Sequence, residues 1–316
     1  MQSLYLPEGN LWQTPNNKMY LSSLQGLEKA KSEGIILEAM VVSCDPSHNL
    51  LVDLAGIPGM IPREECALGI REGTTRDIAI LSRVGKPVCF KIMQIEEREN
   101  KPFLLLSRIN AQQEAEAYIF QHKIPGDIIS AKVTHLEPFG AFVDIGCGLI
   151  SLIGIENISI SRIFHPAERF LEGQNIHAVI SHLDPELHRV SLTHKELLGT
   201  WEQNASHFSS GETVTGIVRS IEDYGIFIEL CPNLSGLAEY RENVQVGQMA
   251  AVYIKSILPE RMKIKLTIIH TSDILSKPLK EENYFLTNGH LQKWVYSPAS
   301  CTCKYIATNF EAVLPH

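Results

Sequence analysis

Two stretches of the sequence place a pair of aromatic residues on either side of a glycine. They are EPFGAFVDIG at 137–146 and EDYGIFIEL at 222–230, and both continue as an alternation of apolar and acidic residues. The aromatic residues are Phe139 and Phe142 in the first stretch and Tyr224 and Phe227 in the second. Aromatic rings exposed on a strand can stack against nucleic-acid bases, and each stacked base contributes about 1–3 kcal/mol. The paired rings therefore favour a surface that binds single-stranded nucleic acid.

The alternation after the glycine predicts a direction for each side chain, because successive side chains of a strand point to opposite faces. Val143 and Ile145 are expected to face a core. This leaves Phe142 and Asp144 facing outward. A glycine inside a strand often marks a bulge that shifts the phase by one residue, and such a bulge brings Phe139 onto the outer face as well. The alternative is that one ring of each pair caps the core.

Both stretches lie inside longer segments that repeat. GDIISAKVTHL precedes the first and GETVTGIVRSI precedes the second, each opening with Gly and an acid. Further on, residues 172–193 align with 246–267 without a gap. A weaker copy starts at Gly34, where LLVDL at 50–54 replaces the aromatic stretch and FLLLSR at 103–108 replaces the last strand. This internal repetition indicates three related structural units.

Each unit contains about five short strands separated by Gly, Pro and Asp, which is typical of a small closed barrel. The sequence therefore predicts a mainly β protein: three tandem five-stranded barrels of the OB-fold type, with helical linkers and a short C-terminal extension. Helices are expected at Leu21–Gly34, Ile109–Phe120 and His194–Phe208, where Ala, Glu, Gln and Leu recur at helical spacing. The predicted segments are 1–33, 34–120, 121–208, 209–270 and 271–316.

Three parts of the chain do not follow the repeat. The first twenty residues are rich in Pro, Asn and Gly and are expected to be mobile. The run DIAILSRV in the insertion of the first unit fits a strand or a helix equally well. The last segment, 271–316, carries six aromatic residues, which indicates that it packs against another surface. Packing on the third barrel is favoured, and a contact with RNA or protein is the alternative.

Composition narrows the class of protein. The 316 residues carry a formal net charge of −8, which argues against coating duplex nucleic acid by charge alone but not against stacking on single strands. No apolar run approaches the roughly 18 residues needed to cross a bilayer, and the start does not read as a secretory signal. Seven cysteines, an odd number, favour a reducing compartment. We therefore expect a cytoplasmic protein with no membrane partner.

Motifs for catalysis or for bound groups are weak. The sequence contains no G-x-G-x-x-G or phosphate-binding loop, no G-x-S-x-G and no H-E-x-x-H. Cys301 and Cys303 lie near His290, but a zinc site usually needs a second pair of ligands. The sequence thus predicts a protein that is not an enzyme and that holds no metal or cofactor.

The pattern shared by the second and third units resembles the S1-type RNA-binding repeat, named for bacterial ribosomal protein S1. The matching features are an opening Gly, then [FY]-G-x-F-[VI]-[DE]-[IL], then G-Q, and finally [RK]-[VI]-x-L-[ST], and the resemblance covers nearly all of 34–270. It implies an OB-fold barrel that binds single-stranded RNA, such as mRNA, on the outer face of its second and third strands. The expected RNA-binding residues are Phe139, Phe142, Lys132, Arg189, Tyr224, Phe227, Arg219, Lys255 and Lys263. The family often has His on the third strand, where this chain has Gly154 and Glu239.

The first unit departs from the family pattern, because its aromatic positions hold His48 and Leu51 and its last strand has Phe103 in place of the basic residue. The resemblance implies that such an early repeat docks on the small ribosomal subunit. A competing hypothesis is an adaptor whose barrels bind protein rather than RNA. It is supported by the acidic balance of the second unit, which has five Lys or Arg against nine Asp or Glu at 126–198.

Overall fold

The computed structural model describes residues 5–275 and 283–311, and they form the three closed barrels that the repeats predict. In every barrel the fifth strand lies between the third and the fourth, and its pairing with the third strand is parallel. The strands of the first barrel are β1 (Leu37–Cys44), β2 (Leu50–Leu54), β3 (Ile57–Ile61), β4 (Pro87–Arg98) and β5 (Lys101–Ser107).

The second and third barrels repeat this arrangement. The second contains β6 (Ile128–Glu137), β7 (Gly140–Asp144), β8 (Ile150–Gly154), β9 (Asn175–Asp184) and β10 (Arg189–Thr193). The third contains β11 (Thr213–Glu222), β12 (Gly225–Cys231), β13 (Leu234–Ala238), β14 (Gln248–Leu258) and β15 (Lys263–Leu275). The mainly β fold of five-stranded barrels is thus confirmed, and β15 runs five residues beyond the boundary expected at 270.

Helices precede the first barrel, follow the first and second barrels, and interrupt the first barrel between β3 and β4. They are α1 (Pro15–Leu21), α2 (Leu24–Glu33), α3 (Ile78–Leu81), α4 (Arg108–His122) and α5 (Trp201–Ala205), of which α2, α4 and α5 overlap the predicted positions. Local sequence explains their ends: the Ser23 side chain accepts a hydrogen bond from the third residue of its helix, and Gly34 ends the same helix at φ 65°. The ambiguous run DIAILSRV forms the short helix α3, which buries Ile80.

The chain divides into two compact units. The first comprises the described residues up to Lys123 together with Ser130–Lys132 and Asp144–Ile150, and the second comprises the rest of the described chain. In the first unit, residues of the N-terminal segment bond to the first barrel. The buried carboxylate of Glu38 accepts hydrogen bonds from the backbone N–H groups of Leu11 at 2.7 Å and Trp12 at 2.6 Å. Asn17 in turn exchanges two hydrogen bonds with the Glu38 backbone.

A buried ion pair also holds this segment. Arg108 Nε and Nη2 donate to the two carboxylate oxygens of Glu8 at 2.7 and 2.9 Å. The Glu8 backbone N–H donates to Asp144 Oδ2 at 2.7 Å. Asp144 does point away from the barrel interior as expected, but it is buried, and burial beside the Glu8 charge raises its pKa to about 7. The acid of the second strand therefore binds the N-terminal segment instead of facing solvent.

In the second unit the C-terminal extension packs against the third barrel, as favoured from its aromatic content. Trp294, Tyr296 and Phe310 are buried in one cluster with core residues of that barrel. The extension forms a hairpin of β16 (Lys293–Val295) and β17 (Ala307–Asn309). The Tyr296 hydroxyl donates to the carbonyl of Asn233 at 2.5 Å, which satisfies its polar end.

A buried triad of charges lies in the same unit. Glu229, on β12, accepts from Arg219 Nε at 2.7 Å and from Arg169 Nη2 at 2.6 Å. Arg219 also donates to Glu168. All three members of the triad are nearly inaccessible to solvent. Two cations thus depend on one carboxylate, which makes the triad sensitive to loss of that charge.

We expect Glu229→Gln to lower the free energy of unfolding of the second unit by about 3–5 kcal/mol, because the buried guanidinium of Arg169 loses its counter-ion and that of Arg219 keeps only Glu168. Thermal unfolding followed by the fluorescence of the buried Trp201 and Trp294 measures the change. Asp53→Asn is the matched control, since Asp53 holds the same repeat position in the first barrel but is exposed, and should cost less than about 0.5 kcal/mol. Equal midpoints for Glu229→Gln and wild type would contradict the assignment.

His194 predicts a pH dependence of stability. Its ring is fully buried, and burial lowers its pKa from 6.5 to about 4. Between pH 6.5 and 4 the His194 ring is protonated in the unfolded chain but stays neutral in the folded protein. The free energy of unfolding should therefore fall by about 3 kcal/mol over this range. Urea denaturation across this range checks it. His194→Gln should flatten the fall relative to wild type, whereas the exposed control His182→Gln should not.

Candidate nucleic-acid interface

The aromatic pairs are built by the hairpin that joins the first and second strands of a barrel. β6 ends at Glu137 and β7 begins at Gly140, so Phe139 is the second residue of a two-residue turn. The third barrel repeats this, with Tyr224 in the turn before Gly225. The predicted bulge at the glycine is therefore wrong. The ring lies at the tip of the turn, and the glycine is the first residue of the next strand.

The glycine is needed because the third strand passes over it. A Cβ built on Gly140 would lie 2.5 Å from the carbonyl oxygen of Ile153 on β8 and 3.2 Å from the Cα of Gly154. A Cβ on Gly225 would collide with the carbonyl oxygen of Ala238 on β13, and its φ of +149° is one that other residues rarely adopt. Only a residue without a side chain permits this crossing beside the rings.

In both barrels the two rings meet edge to face on the outer surface. The centroids of Phe139 and Phe142 are 5.9 Å apart with an interplanar angle of 90°, and those of Tyr224 and Phe227 are 6.1 Å apart at 89°. The turn residues Phe139 and Tyr224 are 56% and 71% exposed, so neither caps a barrel core. Phe142 and Phe227 are half-buried, while the alternate residues of their strands fill the barrels. The tip ring therefore offers one accessible face, with the second ring bracing it.

Strand pairing shows what surrounds the rings of the third barrel. Phe227 pairs with Leu237 on β13, and Leu237 pairs with Lys265 on the parallel strand β15. In the second barrel the corresponding parallel pair is Leu152 and Ser191. Each aromatic pair therefore adjoins an apolar side chain, and in the third barrel a lysine follows. The two rings of a barrel, together with the neighbouring outward residues on its third and fifth strands, are called the platform of that barrel below.

The predicted basic residues fall into two groups. Arg189 and Lys263 open the last strand of their barrels; Arg189 is exposed and Lys263 half-buried. Lys255 is exposed on β14 and donates to Glu239 at 2.9 Å. These three side chains can reach a ligand on the barrel surface. Lys265, which is absent from the residues predicted to bind RNA, lies beside the platform of the third barrel through its pairing with Leu237.

Lys132 and Arg219 are engaged elsewhere. Lys132 Nζ donates to the backbone carbonyl of Glu8 at 2.9 Å. Arg219 belongs to the buried triad with Glu229. Because its guanidinium is desolvated and already bonded to carboxylates, it is unavailable to phosphate, and we correct the expectation that it binds RNA. No local pattern in the sequence predicts these ion pairs, since the carboxylate partners of Arg219 lie 10 and 51 positions away.

The structure contains little that could hold a metal. Cys301 Sγ and Cys303 Sγ are 3.5 Å apart, and all seven cysteines are free thiols. Within residues 5–275 and 283–311, no three His, Cys, Asp or Glu side chains gather in a way that could bind an ion. In the same described part of the chain, no helix has the length and apolar character to cross a bilayer.

Comparisons with known proteins show what the chain is similar to in sequence. Residues 123–195, which contain the second barrel, match the S1 RNA binding domain. The small ribosomal subunit protein bS1 of Leuconostoc lactis is 26% identical over 285 residues, which are 83% of this chain and 64% of that protein. The bS1 of Rhodopseudomonas palustris is 32% identical over 196 residues, or 60% of this chain and 33% of that protein.

A solved multidomain protein with nucleic acid binding domains from Streptococcus pneumoniae covers 74% of this chain, and the match covers 72% of that protein. Its sequence identity is 12% and its TM-score is 0.23, so it carries no weight for the function. The chain spans only a third to two thirds of the length of the two bS1 proteins above. Residues 123–195 are thus similar to the S1 RNA binding domain, and the chain as a whole is similar in sequence to the bacterial ribosomal protein bS1.

Proposed function

We propose that this protein binds single-stranded RNA, including mRNA, on the platforms of its second and third barrels, and acts in translation with the small ribosomal subunit in the cytoplasm. One observation carries the proposal: two barrels with different surrounding sequences build the same edge-to-face aromatic pair at the same turn, over the same kind of glycine. Barrel closure alone does not require an exposed ring at the turn, because the first barrel closes with His48 near that position.

The mechanism is stacking supported by charge at the ends of the last strands. A base lies on the exposed face of Phe139 or Tyr224, and the backbone passes toward Arg189 or Lys263. Two linked platforms give a higher overall affinity for RNA than either alone, because binding at one raises the effective concentration of RNA at the other. The protein needs no catalytic group for this role.

The acids of the second barrel oppose RNA binding less than their number suggests. Asp144 is buried beneath the N-terminal segment. Glu196 is buried and accepts hydrogen bonds from Thr193 and Thr308. Glu168 is paired with Arg219. Several of the acids thus serve internal contacts, which reduces the charge that opposes a phosphate backbone.

Removing the half-buried rings tests the RNA site. Phe142→Ala combined with Phe227→Ala should weaken binding of a fluorescent single-stranded RNA by about tenfold or more for each ring, because stacking at both platforms loses its support. Anisotropy titrations at two salt concentrations measure this, with circular dichroism to verify folding. Tyr305→Ala is the control, as it removes an exposed aromatic residue outside the barrels and should leave the affinity unchanged.

If the folded double variant binds RNA as tightly as wild type, the platforms are not the RNA-binding site. In that case the adaptor hypothesis, in which the barrels bind protein, becomes the better account. Absence of RNA binding by the wild-type chain would lead to the same conclusion.

The first barrel favours a separate docking role. His48 Nδ1 lies 3.2 Å from Asp77 Oδ2, and Leu51 replaces the second ring, so this barrel has no aromatic platform. It exposes a different set of apolar side chains: Val42, Ile78, Leu81 and Val84. The Val41 backbone exchanges hydrogen bonds with Lys86 and Gly85, which brings β1 beside the segment that follows α3. Clustered exposed apolar residues often mark a protein contact, and we propose that this surface docks on the small ribosomal subunit.

Ile78→Ser combined with Leu81→Ser should reduce co-sedimentation with purified small ribosomal subunits several-fold, because the docking surface loses its apolar contacts. The same variant should bind short single-stranded RNA like wild type. Unchanged co-sedimentation would contradict docking through the first barrel. A parallel loss in the Phe142→Ala, Phe227→Ala variant would show that the subunit is held through RNA instead.

A further inference from the structure

Two cysteine side chains contact each other in the loop between β16 and β17. Cys301 Sγ and Cys303 Sγ are 3.5 Å apart. Cys303 is exposed to solvent and Cys301 is half-buried, so small molecules in solution can reach both sulfur atoms. The RNA binding proposed above uses neither thiol. Two accessible thiols in contact are suited to oxidation to a disulfide.

Hydrogen bonds within the loop hold the pair in place. The backbone N–H of Cys301 donates to the carbonyl of Pro298 at 3.0 Å, which closes a four-residue turn. The buried Ser297 hydroxyl donates to the carbonyl of Lys304 at 3.1 Å and accepts from the backbone N–H of Ile306 at 2.8 Å. Ser297 thus ties the two sides of the loop together, and the cysteines lie between these fixed points.

The spacing of the two cysteines permits a bond between them. A disulfide is about 2.0 Å long and joins Cα atoms about 4.4–6.8 Å apart. Because Cα atoms two positions apart in a chain are separated by at most about 7 Å, the backbone needs little movement to be bridged. The sulfur atoms of Cys301 and Cys303 must approach by about 1.5 Å, which rotation of the side chains can supply.

The two thiols differ in acidity. Burial and the negative charge of Glu260 act to raise the pKa of the Cys301 thiol. Hydrogen bonds from the backbone at Lys304 and from Cys303 outweigh them, so the pKa of Cys301 lies below its usual value. The hydrogen bond with Cys301, together with burial, raises the pKa of Cys303. Since the thiolate is the form that attacks a disulfide, Cys301 is the first nucleophile and Cys303 the second.

The other five cysteines are less suited to this chemistry. Burial raises the pKa of the Cys44 thiol, and it raises the pKa of Cys66 and of Cys231 to about 12. Cys89 and Cys147 are each only 1% exposed, which keeps an oxidant in solution away from them. Thiols that are both accessible and paired are therefore confined to the loop between β16 and β17.

We propose that Cys301 and Cys303 form a redox-active dithiol that a low-molecular-weight disulfide converts reversibly to an intramolecular disulfide. The Cys301 thiolate attacks one sulfur of the small disulfide, forms a mixed disulfide and releases one small thiol. The Cys303 thiolate then attacks the Cys301 sulfur, forms the protein disulfide and releases the second small thiol. The protein loses two protons and two electrons, which the small disulfide gains, and excess small thiol reverses both steps.

Oxidation also changes a contact with the third barrel. The Cys303 thiol donates to the carbonyl oxygen of Arg261 at 3.6 Å, in the turn between β14 and β15. A disulfide sulfur carries no hydrogen, so this hydrogen bond is lost when Cys303 is oxidised. The oxidised loop is therefore released from the turn that precedes β15.

Mass spectrometry of the full chain treated with glutathione disulfide at neutral pH tests the proposal. Wild type should lose two hydrogen atoms, with the bond mapped to the peptide that contains Cys301 and Cys303, and dithiothreitol should restore the original mass. Cys303→Ser removes the second nucleophile, so a glutathione adduct on Cys301 should accumulate to a level several-fold above that in wild type. Circular dichroism verifies that each variant is folded.

Cys44→Ser is the control, because it removes a half-buried thiol of the first barrel and should form the same disulfide as wild type. Three results would overturn the proposal: Cys301 and Cys303 that stay reduced in folded wild type, a disulfide that joins two copies of the chain, or equal adduct levels in wild type and Cys303→Ser. The measurement contains no RNA, so its outcome is independent of the proposed RNA binding.

Discussion

The crossing of the third strand over a glycine is the constraint on which each platform depends. At Gly140 and Gly225 a neighbouring backbone occupies the space that a side chain would need. The crossing holds the hairpin turn against the barrel, so the residue at its tip has its ring turned outward over the ring that follows. It also brings the end of the third strand against Gly140 or Gly225, next to the two aromatic residues in the chain. One steric requirement thus positions both rings of a pair on the same outer surface.

The acidic residue of the second strand has different partners in each barrel. Asp53 is exposed, Asp144 accepts a hydrogen bond from the N-terminal segment, and Glu229 holds two arginines. In every case it points out of its barrel, as strand alternation requires. What changes is the element that covers it. The repeat therefore conserves geometry while the chemistry at equivalent positions differs, which is why Arg219 cannot be assigned to phosphate from its position in the repeat.

The three barrels divide into two kinds by what they expose. The second and third present an exposed aromatic ring at the first hairpin turn, packed against a second ring. The first has His48 and Leu51 at the corresponding positions, and it exposes aliphatic side chains around α3. The RNA binding proposed for the second and third barrels and the docking proposed for the first both rest on this difference.

The sequence by itself determined the three barrels, the inward residues such as Val143 and Ile228, and the outward aromatic pairs. These follow from a period of two and from turn residues, which act over a few neighbouring positions. Tertiary structure alone decided which charges are buried and which partners they bond. Glu8 meets Asp144 across 136 positions, and Arg169 meets Glu229 across 60. Desolvation and ion pairing depend on such distant partners, so no local pattern in the chain reveals them.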